Sequence, residues 1–326
     1  MSKTVLVTGG AGYIGSHTAK YLKNHGYKVV ILDNLIYGHK EATKGFDFEQ
    51  VDLADKSALE KVFEKYSIDA VIHFAAYTYV GESVSKPQKY YWNNVVTTLN
   101  LLDVMLEHNV KTIVFSSTCA TYGNPEYMPL DEKHTQKPIN PYGKTKFMME
   151  QIMDDYETAY GFKYAALRYF NAAGADKDGE LGESHEPETH LIPLVLKAIK
   201  GERDAITVFG TDYDTPDGTC VRDYVHVEDL ADAHMLALEK LISENKSLHL
   251  NLGTGMGKSV KEIIAAAEEV TGKKVPVKYG ERRQGDPANL YAANSLVKEV
   301  LGWNPKYVDI KDIIKTAWEW ELDKKF

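Results

Sequence analysis

Thr4-Val5-Leu6-Val7-Thr8-Gly9-Gly10-Ala11-Gly12-Tyr13-Ile14-Gly15 decides the reading of the fold. Residues 4–8 carry no charge and are mostly β-branched or aliphatic, the composition of a strand buried on both faces of a parallel sheet. Gly9, Gly12 and Gly15 then recur at intervals of three and lead through Tyr13 and Ile14 into a helix-forming run. A tight turn, close approach of backbone N–H groups to a pyrophosphate, and packing of helix on strand each favour a residue without a side chain at such points. Glycine repeats are weak signals alone, but the strand, turn and helix around these supply the context that a dinucleotide-binding fingerprint needs. A second strand, Val29-Val30-Ile31-Leu32, ends at Asp33, which Asn34 follows. A carboxylate there can accept both hydroxyls of an adenosine ribose and repels a 2′-phosphate, so the expected cofactor is NAD rather than NADP.

Outward from this stretch, strands and helices alternate at the spacing of βαβ units up to residue 171. The pattern predicts an α/β fold: a Rossmann-type doubly wound parallel sheet over 1–171 as the NAD-binding domain, and a smaller α/β substrate-binding lobe over 172–326. The third strand is expected to end at Asp52-Leu53. The fourth is read as Ala70-Val71-Ile72-His73-Phe74-Ala75-Ala76, where His73 between apolar neighbours reads as a core histidine. Asn93-Asn94 is read as the start of a long helix toward His108, and Asp309–Lys324, with Trp318 and Trp320, as a packing helix.

The chemistry is concentrated in Asn140-Pro141-Tyr142-Gly143-Lys144-Thr145-Lys146. Asn140 can cap a helix and Pro141 suits its first turn. Tyr142 and Lys146 then share a face, and an ammonium beside a phenol favours the phenolate, drawing its pKa from about 10 toward neutrality. Such a tyrosine can take a proton from a sugar or alcohol hydroxyl. A bare Tyr-x-x-x-Lys is common by chance, but Ser116-Ser117-Thr118, ending a predicted strand, offers a hydroxyl to meet it.

The totals set outer bounds. A chain of 326 residues, 44% hydrophobic and 26% charged, suits a two-lobed soluble enzyme. No apolar run approaches the ~20 residues of a membrane span, and MSKTVLVTGG is too short and glycine-broken for a signal peptide. Cys119 and Cys220 form neither a disulfide framework nor a zinc pattern, which fits the cytoplasm. The net charge of −9 argues against a nucleic-acid partner but not against a nucleotide ligand.

Together, the glycine turn, Thr118 and the Tyr142/Lys146 pair resemble the extended, sugar-nucleotide branch of the short-chain dehydrogenase/reductase superfamily, and within it the UDP-hexose 4-epimerases. The resemblance covers nearly the whole chain. It implies interconversion of UDP-galactose and UDP-glucose through a transient 4-keto sugar, with tightly bound NAD, in a homodimer formed through the helices near Asn93 and Tyr142. It implies Tyr142, Lys146 and Thr118 as catalytic residues. Asp52, Leu53, Phe74, Ala75, Ala76, Asn94 and Tyr169 join the glycine turn, Tyr13, Ile14, Asp33 and Asn34 at the cofactor. Family members often have lysine where this chain has Thr78, a departure that removes one cofactor contact. Cys119-Ala120 stands where nucleotide-sugar dehydratases have an Asp-Glu pair, and without those carboxyls water elimination lacks its acid and base.

In the second lobe the resemblance assigns the UDP-sugar to Asn171, His190, Leu191, Arg222, Arg282, Asp286 and Leu290, together with Thr118 and Tyr142. An arginine suits bidentate phosphate binding; the competing reading of Arg222 is a surface pair with Asp223. Leu290 is intermediate between the tyrosine of enzymes restricted to plain hexoses and the smaller residue of those that accept N-acetylhexosamines. His185 and His190 among Glu183, Glu186 and Glu188 are read as a solvated acidic loop, because a metal site needs convergent geometry that spacing does not show; no metal is expected. Rival readings are a 4-epimerase of another UDP-sugar (N-acetylhexosamine, pentose or uronate) and a net NAD-dependent dehydrogenase that releases its cofactor.

Overall fold

The structure, a computed structural model, describes residues 2–283 and 287–326. In chain order the first elements are β1 (Thr4–Thr8), α1 (Tyr13–Asn24), β2 (Lys28–Asp33), β3 (Asp47–Gln50), α2 (Lys56–Lys65), β4 (Ala70–His73), α3 (Val80–Ser85), α4 (Pro87–Tyr91), α5 (Thr97–Glu107), β5 (Thr112–Thr118), α6 (Pro141–Tyr160) and β6 (Lys163–Tyr169). There follow β7 (Asn171–Ala173), α7 (Leu191–Lys200), β8 (Ile206–Phe209), β9 (Val221–Arg222), β10 (Tyr224–His226), α8 (Val227–Glu244) and β11 (Leu248–Leu252). The chain closes with β12 (Lys258–Ser259), α9 (Val260–Thr271), β13 (Val277–Gly280), β14 (Asn289–Leu290), α10 (Ser295–Leu301) and α11 (Ile310–Leu322).

Every residue of β1 is buried, as its uncharged composition requires, and the strand lies inside a seven-stranded sheet of order β11-β6-β5-β4-β1-β2-β3. β1 runs parallel to both β2 and β4, β2 to β3, and β4 to β5. This is the doubly wound order expected of the sequence, with its switch point between β1 and β4. The core beneath joins Leu6, Val30 and Val71 of the sheet to Leu59 and Val62 of α2, Leu101 and Met105 of α5, and Met149 and Met153 of α6.

The chain separates into two compact units. One comprises residues 1–123, 135–168 and 231–250, the other residues 124–134, 169–230 and 251–326. The single boundary expected after Asn171 is therefore replaced by an interleaved division. Most of α8 and β11 carry the chain back to the first sheet, while residues 124–134 leave it. A returning helix and strand look no different in composition from any others, so alternation alone carries no sign of this return. The second unit has its own core, in which Val195 and Leu196 of α7 meet Ile263 and Ala266 of α9 and Ile313 and Ile314 of α11. Its strands form small pairs and a triplet: β10 with β7, β13 with β8, and β12-β9-β14.

Three element ends differ from expectation. β4, read as running to Ala76, ends at His73, so Phe74, Ala75 and Ala76 lie beyond it. β3 stops at Gln50, so Asp52 and Leu53 lie in the turn beyond it. The helix expected from Asn93 begins at Pro87 and passes through a π-helical stretch, Trp92–Val96, before α5. Pro87 occupies the first helical position, where its missing N–H costs nothing.

Candidate active site

At the switch point the glycines act through close approach. Gly9 has a φ of +70°, and a Cβ there would lie 2.6 Å from the backbone nitrogen of Ala75, just past β4. A Cβ on Gly15 would meet the carbonyl oxygen of Gly9 at 2.2 Å, so α1 can sit this close to the turn only with glycine there. Gly12 caps α1, and Tyr13 and Ile14 are its first residues. Phe74 N–H and Ala75 N–H both reach the Thr8 carbonyl, at 2.9 and 3.2 Å. Glycine at these points lets β4, the turn and α1 close on one another, and the N-terminus of α1 that this exposes suits a pyrophosphate.

Asp33 is buried at the end of β2, where Oδ2 accepts from Ala11 N–H at 3.0 Å and Oδ1 from Leu35 N–H at 2.8 Å. Burial pushes its carboxyl above the ordinary range against the pull of those amides. Asn34 Nδ2 donates to Asp52 Oδ2 at 2.9 Å, and Asp52 Oδ1 accepts from Ala54 N–H at 2.8 Å. Leu53 is buried and its carbonyl accepts from Asn100 Nδ2 at 3.0 Å. Beside this turn lies a cavity of about 380 Å³ lined by Asp52, Ala54, Tyr77, Lys89, Trp92 and Asn93 among others. Carboxylate, turn and cavity together fit the adenosine half of a dinucleotide.

Asn93, not its neighbour, faces that cavity. Asn94 is 3% exposed and spends its amide on the protein: Oδ1 accepts from Tyr77 N–H at 2.8 Å, and Nδ2 donates to Tyr77 O at 2.9 Å and Thr145 Oγ1 at 3.1 Å. Both amide protons are then engaged, so Asn94 braces α6 to the segment after β4. It sits in the π-helical stretch, a form found frequently at functional sites.

Thr118 ends β5 and is buried. Its Oγ1 accepts from Ala120 N–H at 3.2 Å, which leaves the hydroxyl proton free to be donated elsewhere. α6 starts as its sequence requires, with Asn140 Oδ1 accepting from Gly143 N–H at 2.8 Å and Pro141 in the first turn. Tyr142 and Lys146 therefore lie on one face. Lys146 is 2% exposed, its Nζ donates to Ser116 O at 2.7 Å and stands 4.9 Å from the Phe115 ring centroid. Burial pulls the ammonium down to about 7, while the Glu150 carboxylate works in the opposite direction. His73 is the core histidine expected: 1% exposed, with its ring nitrogens 2.6 Å from Thr8 Oγ1 and 3.0 Å from Thr98 Oγ1, and burial holds it near 3.

Two features of this unit escaped the sequence reading. Gly143 lets α6 press on the loop after β5, since a Cβ there would lie 2.5 Å from Ala120 O. Beneath Lys146, one turn along α6, Glu150 forms a buried pair with Arg168, at 3.0 Å from Nε to Oε1 and 2.6 Å from Nη2 to Oε2. Ser117 Oγ and Gln136 Nε2 also donate to Glu150, and Arg168 Nη1 donates to Tyr122 OH at 3.0 Å. The signal available was an arginine inside the apolar strand Tyr-Ala-Ala-Leu-Arg-Tyr, which demands a buried partner.

In the second unit, Tyr169 is the last residue of β6 and Asn171 the first of β7, and Asn171 Nδ2 donates to Asp223 O at 2.9 Å. Arg222 Nη1 donates to the carbonyls of Val221 and Pro287 at 2.8 and 2.9 Å. Asp223 is fully buried and accepts from Thr254 N–H and Oγ1, Gly255 N–H and Ala292 N–H, so its carboxylate ties three segments together. Leu290 pairs directly opposite Arg222 in the β14–β9 register. Arg282 is exposed, held by Asp212 Oδ1 at 2.7 Å and stacked 4.3 Å from the Tyr213 ring centroid. Asp286 lies outside the described residues.

The loop before α7 departs from the solvated run expected. Glu183 is buried at 5% exposure, and Gly182 packs on the indole of Trp320, whose Nε1 donates to Glu183 O at 3.0 Å. α11 covers the loop, and its aromatic residue could not be paired with this segment from sequence spacing. His190 caps α7 and Leu191 opens it. Burial depresses the imidazole, but Glu183 and Glu188 outweigh it and take His190 up to about 10. Glu183, also pushed up by burial, is brought down to about 2 by the facing histidines.

Residues 5–253 match the model of the NAD dependent epimerase/dehydratase family. The chain is 52% identical to the UDP-glucose 4-epimerase of Rhizobium leguminosarum bv. trifolii over 98% of its own length and 97% of that protein's. Among solved structures it is similar to the UDP-glucose 4-epimerase of Brucella ovis in complex with NAD, at TM-score 0.95 and 53% identity over 97% of this chain and 98% of that one. It is also similar to the UDP-glucose 4-epimerase of Bifidobacterium longum in complex with NAD+ and UDP, at TM-score 0.92 and 41% identity over 99% of each. Likeness of this depth through both units makes the chain a member of the NAD dependent epimerase/dehydratase family, on the branch that holds the UDP-glucose 4-epimerases.

Proposed function

We propose that this protein interconverts UDP-galactose and UDP-glucose through a transient 4-keto sugar, keeping NAD bound throughout. The observation that carries this reading is that the likeness to 4-epimerases runs through the second unit as well as the Rossmann sheet. Bound NAD supplies the acceptor and the donor of hydride at C4.

The chain's own residues do the rest. Tyr142, as phenolate, takes the O4 proton and later returns it. Lys146, four residues on, favours the phenolate and orients the cofactor ribose. Thr118 donates its hydroxyl proton to O4, while the same oxygen accepts from Ala120 N–H. Cys119 and Ala120 offer no carboxyl at the place where water elimination would need one. Gly9, Gly12, Tyr13, Ile14 and Gly15 hold the pyrophosphate, and Asp33 the adenosine ribose. Phe74, Ala75, Ala76 and Tyr169 serve the nicotinamide end, and Asn94 acts as a brace. Asn171, His190, Leu191, Arg222, Arg282 and Asp286 grip the UDP, with Leu290 shaping the sugar pocket.

The test is incubation of purified protein with UDP-galactose, without added NAD, following UDP-glucose by chromatography. Conversion is expected. No conversion even after NAD is added would overturn the substrate assignment. We assign the protein to the cytoplasm and to a homodimer. The dimer rests on apolar side chains left exposed near Asn93 and on α6, Trp92 at 60% and Met148 at 41%. A monomeric mass in light scattering would end the dimer assignment. Recovery outside the cytoplasm on cell fractionation would end the other.

A further inference from the structure

The loop Glu183–His190 brings four side chains together: one donor atom each of Glu183, His185, Glu188 and His190, all within 4.8 Å of one another. His185 Nδ1 lies 3.2 Å from Glu183 Oε1 and 3.8 Å from Glu188 Oε2. His190 Nδ1 lies 2.6 Å from Glu183 Oε1 and 3.1 Å from Glu188 Oε1. We infer that these four residues form a closed, tetrahedral binding site for a divalent transition-metal ion, Zn²⁺ being the ion that its two imidazoles and two carboxylates suit best.

Three observations support the site. First, tetrahedral bonds of the usual Zn–N and Zn–O lengths set neighbouring donors about 3.3 Å apart, in the middle of the distances above. Second, Glu183 is 5% exposed, yet its Oε1, aimed into the cluster, has no hydrogen bond of acceptable geometry among the described residues. A buried carboxylate oxygen that faces two imidazole nitrogens without hydrogen-bond geometry is placed as a metal ligand is. Third, the ligands are held from behind. Glu188 Oε1 accepts from the backbone N–H of Thr189 at 2.7 Å and of His190 at 2.8 Å. Trp320 fastens the Glu183 carbonyl, and Ser184 Oγ donates to Phe326 O at 3.2 Å. Such outer contacts fix ligand orientation before an ion arrives.

Charge points the same way. Once a divalent ion displaces the proton that Glu183 and Glu188 hold on His190, two carboxylates and two neutral imidazoles carry −2, which the ion cancels. All four positions are filled by protein, so the ion is structural: it ties the loop to the start of α7 and fixes the ring of His190. His185 and Glu183 were absent from every role assigned above, and the site stands whether or not the sugar and cofactor assignments hold.

The experiment uses NAD-containing protein stripped with a chelator, desalted, and titrated with Zn²⁺ alone by equilibrium dialysis with elemental analysis. Wild type is expected to retain one equivalent per chain, and His185→Ala and Glu183→Gln to weaken binding at least tenfold. Because a variant can lose structure, Co²⁺ is also titrated into the unaltered protein, where intense visible d–d bands of a tetrahedral site are expected. A rise in the wild-type unfolding midpoint on adding Zn²⁺ that is missing in His185→Ala adds support. Retention of less than a tenth of an equivalent by wild type with no tetrahedral Co²⁺ spectrum, or equal retention by wild type and both variants, would overturn the site. The four side chains would then be an ion cluster balanced by a proton on His190.

Discussion

Replacing Glu150 by Gln tests the buried pair beneath Lys146. Glu150 and Arg168 have side chains 2% and 4% exposed, and their two contacts form a bidentate fork. Removing one partner of a fully buried pair costs roughly 3–5 kcal/mol, because the other charge stays desolvated and unmatched. Glutamine keeps one acceptor oxygen, which places the expected loss near the lower end, about 3 kcal/mol. At roughly 2.1 cal/mol/K of unfolding entropy per residue, a chain of 326 residues shifts by about 1.5 °C per kcal/mol, so the unfolding midpoint falls by about 4–5 °C. Thermal unfolding followed by circular dichroism measures it. The pH dependence supplies a second reading. Burial pushes Glu150 up, but His249 nearby and the bonds from Arg168 and Ser117 bring it from 4.5 down to about 2. A depressed carboxyl contributes stability that is complete above its unfolded value and lost as pH falls through its folded one. The gap between wild type and variant should be full at pH 7, narrow below about 4.5 and close near 2. In the double variant Glu150→Leu/Arg168→Met the loss should be clearly less than the sum of the two single losses. A variant within about 1 kcal/mol of wild type at pH 7, or strict additivity, would refute the reasoning.

Three further outcomes follow from the site. Tyr142→Phe should abolish turnover while NAD remains bound, read by cofactor release on denaturation; wild-type-like activity would remove the tyrosine from the mechanism. Gly143→Ala should lower kcat by roughly 10²-fold with the fold intact, because a Cβ 2.5 Å from Ala120 O forces α6 and Tyr142 away from Thr118; unchanged kcat would show that the helix position is not critical. Leu290→Tyr should reduce kcat/KM for UDP-N-acetylglucosamine relative to UDP-glucose by about 10-fold or more, since the larger ring takes up room beside Arg222; an unchanged ratio would remove Leu290 from the sugar pocket.

What could be read from the sequence was whatever is local. The glycine turn, the Asn140 cap and the spacing of Tyr142 and Lys146 are set by neighbours a few residues away, and all appear where the chain's own chemistry puts them. Asn94 shows the limit. Resemblance brings it to the cofactor region, but which of two adjacent asparagines faces the cavity depends on helical phase, and a π-helical stretch shifts that phase. Glu150 and Arg168 meet across α6 and β6, eighteen residues apart, and nothing in either neighbourhood says that they meet. Glu183 in the loop before α7 was not legible for the same reason. Its burial depends on Trp320, 137 residues away.

The pair under Lys146 also explains how a lysine can be kept there at all. The net fall of the ammonium from 10.5 to about 7, burial set against the Glu150 carboxylate, corresponds to roughly 4–5 kcal/mol against its charged form, at about 1.4 kcal/mol per pKa unit. Without a nearby carboxylate the group would be neutral at pH 7 and could not favour a phenolate. Glu150 supplies that negative charge one helical turn away, but a bare carboxylate at 1% exposure would itself take up a proton. Arg168 and Ser117 keep it ionised, and Ser117 stands beside both Ser116, whose carbonyl receives the lysine proton, and Thr118. The charge proposed to tune Tyr142 is therefore held in place by a chain of buried partners in β5, α6 and β6, and the catalytic function proposed for Lys146 depends on residues outside the proposed sugar contacts.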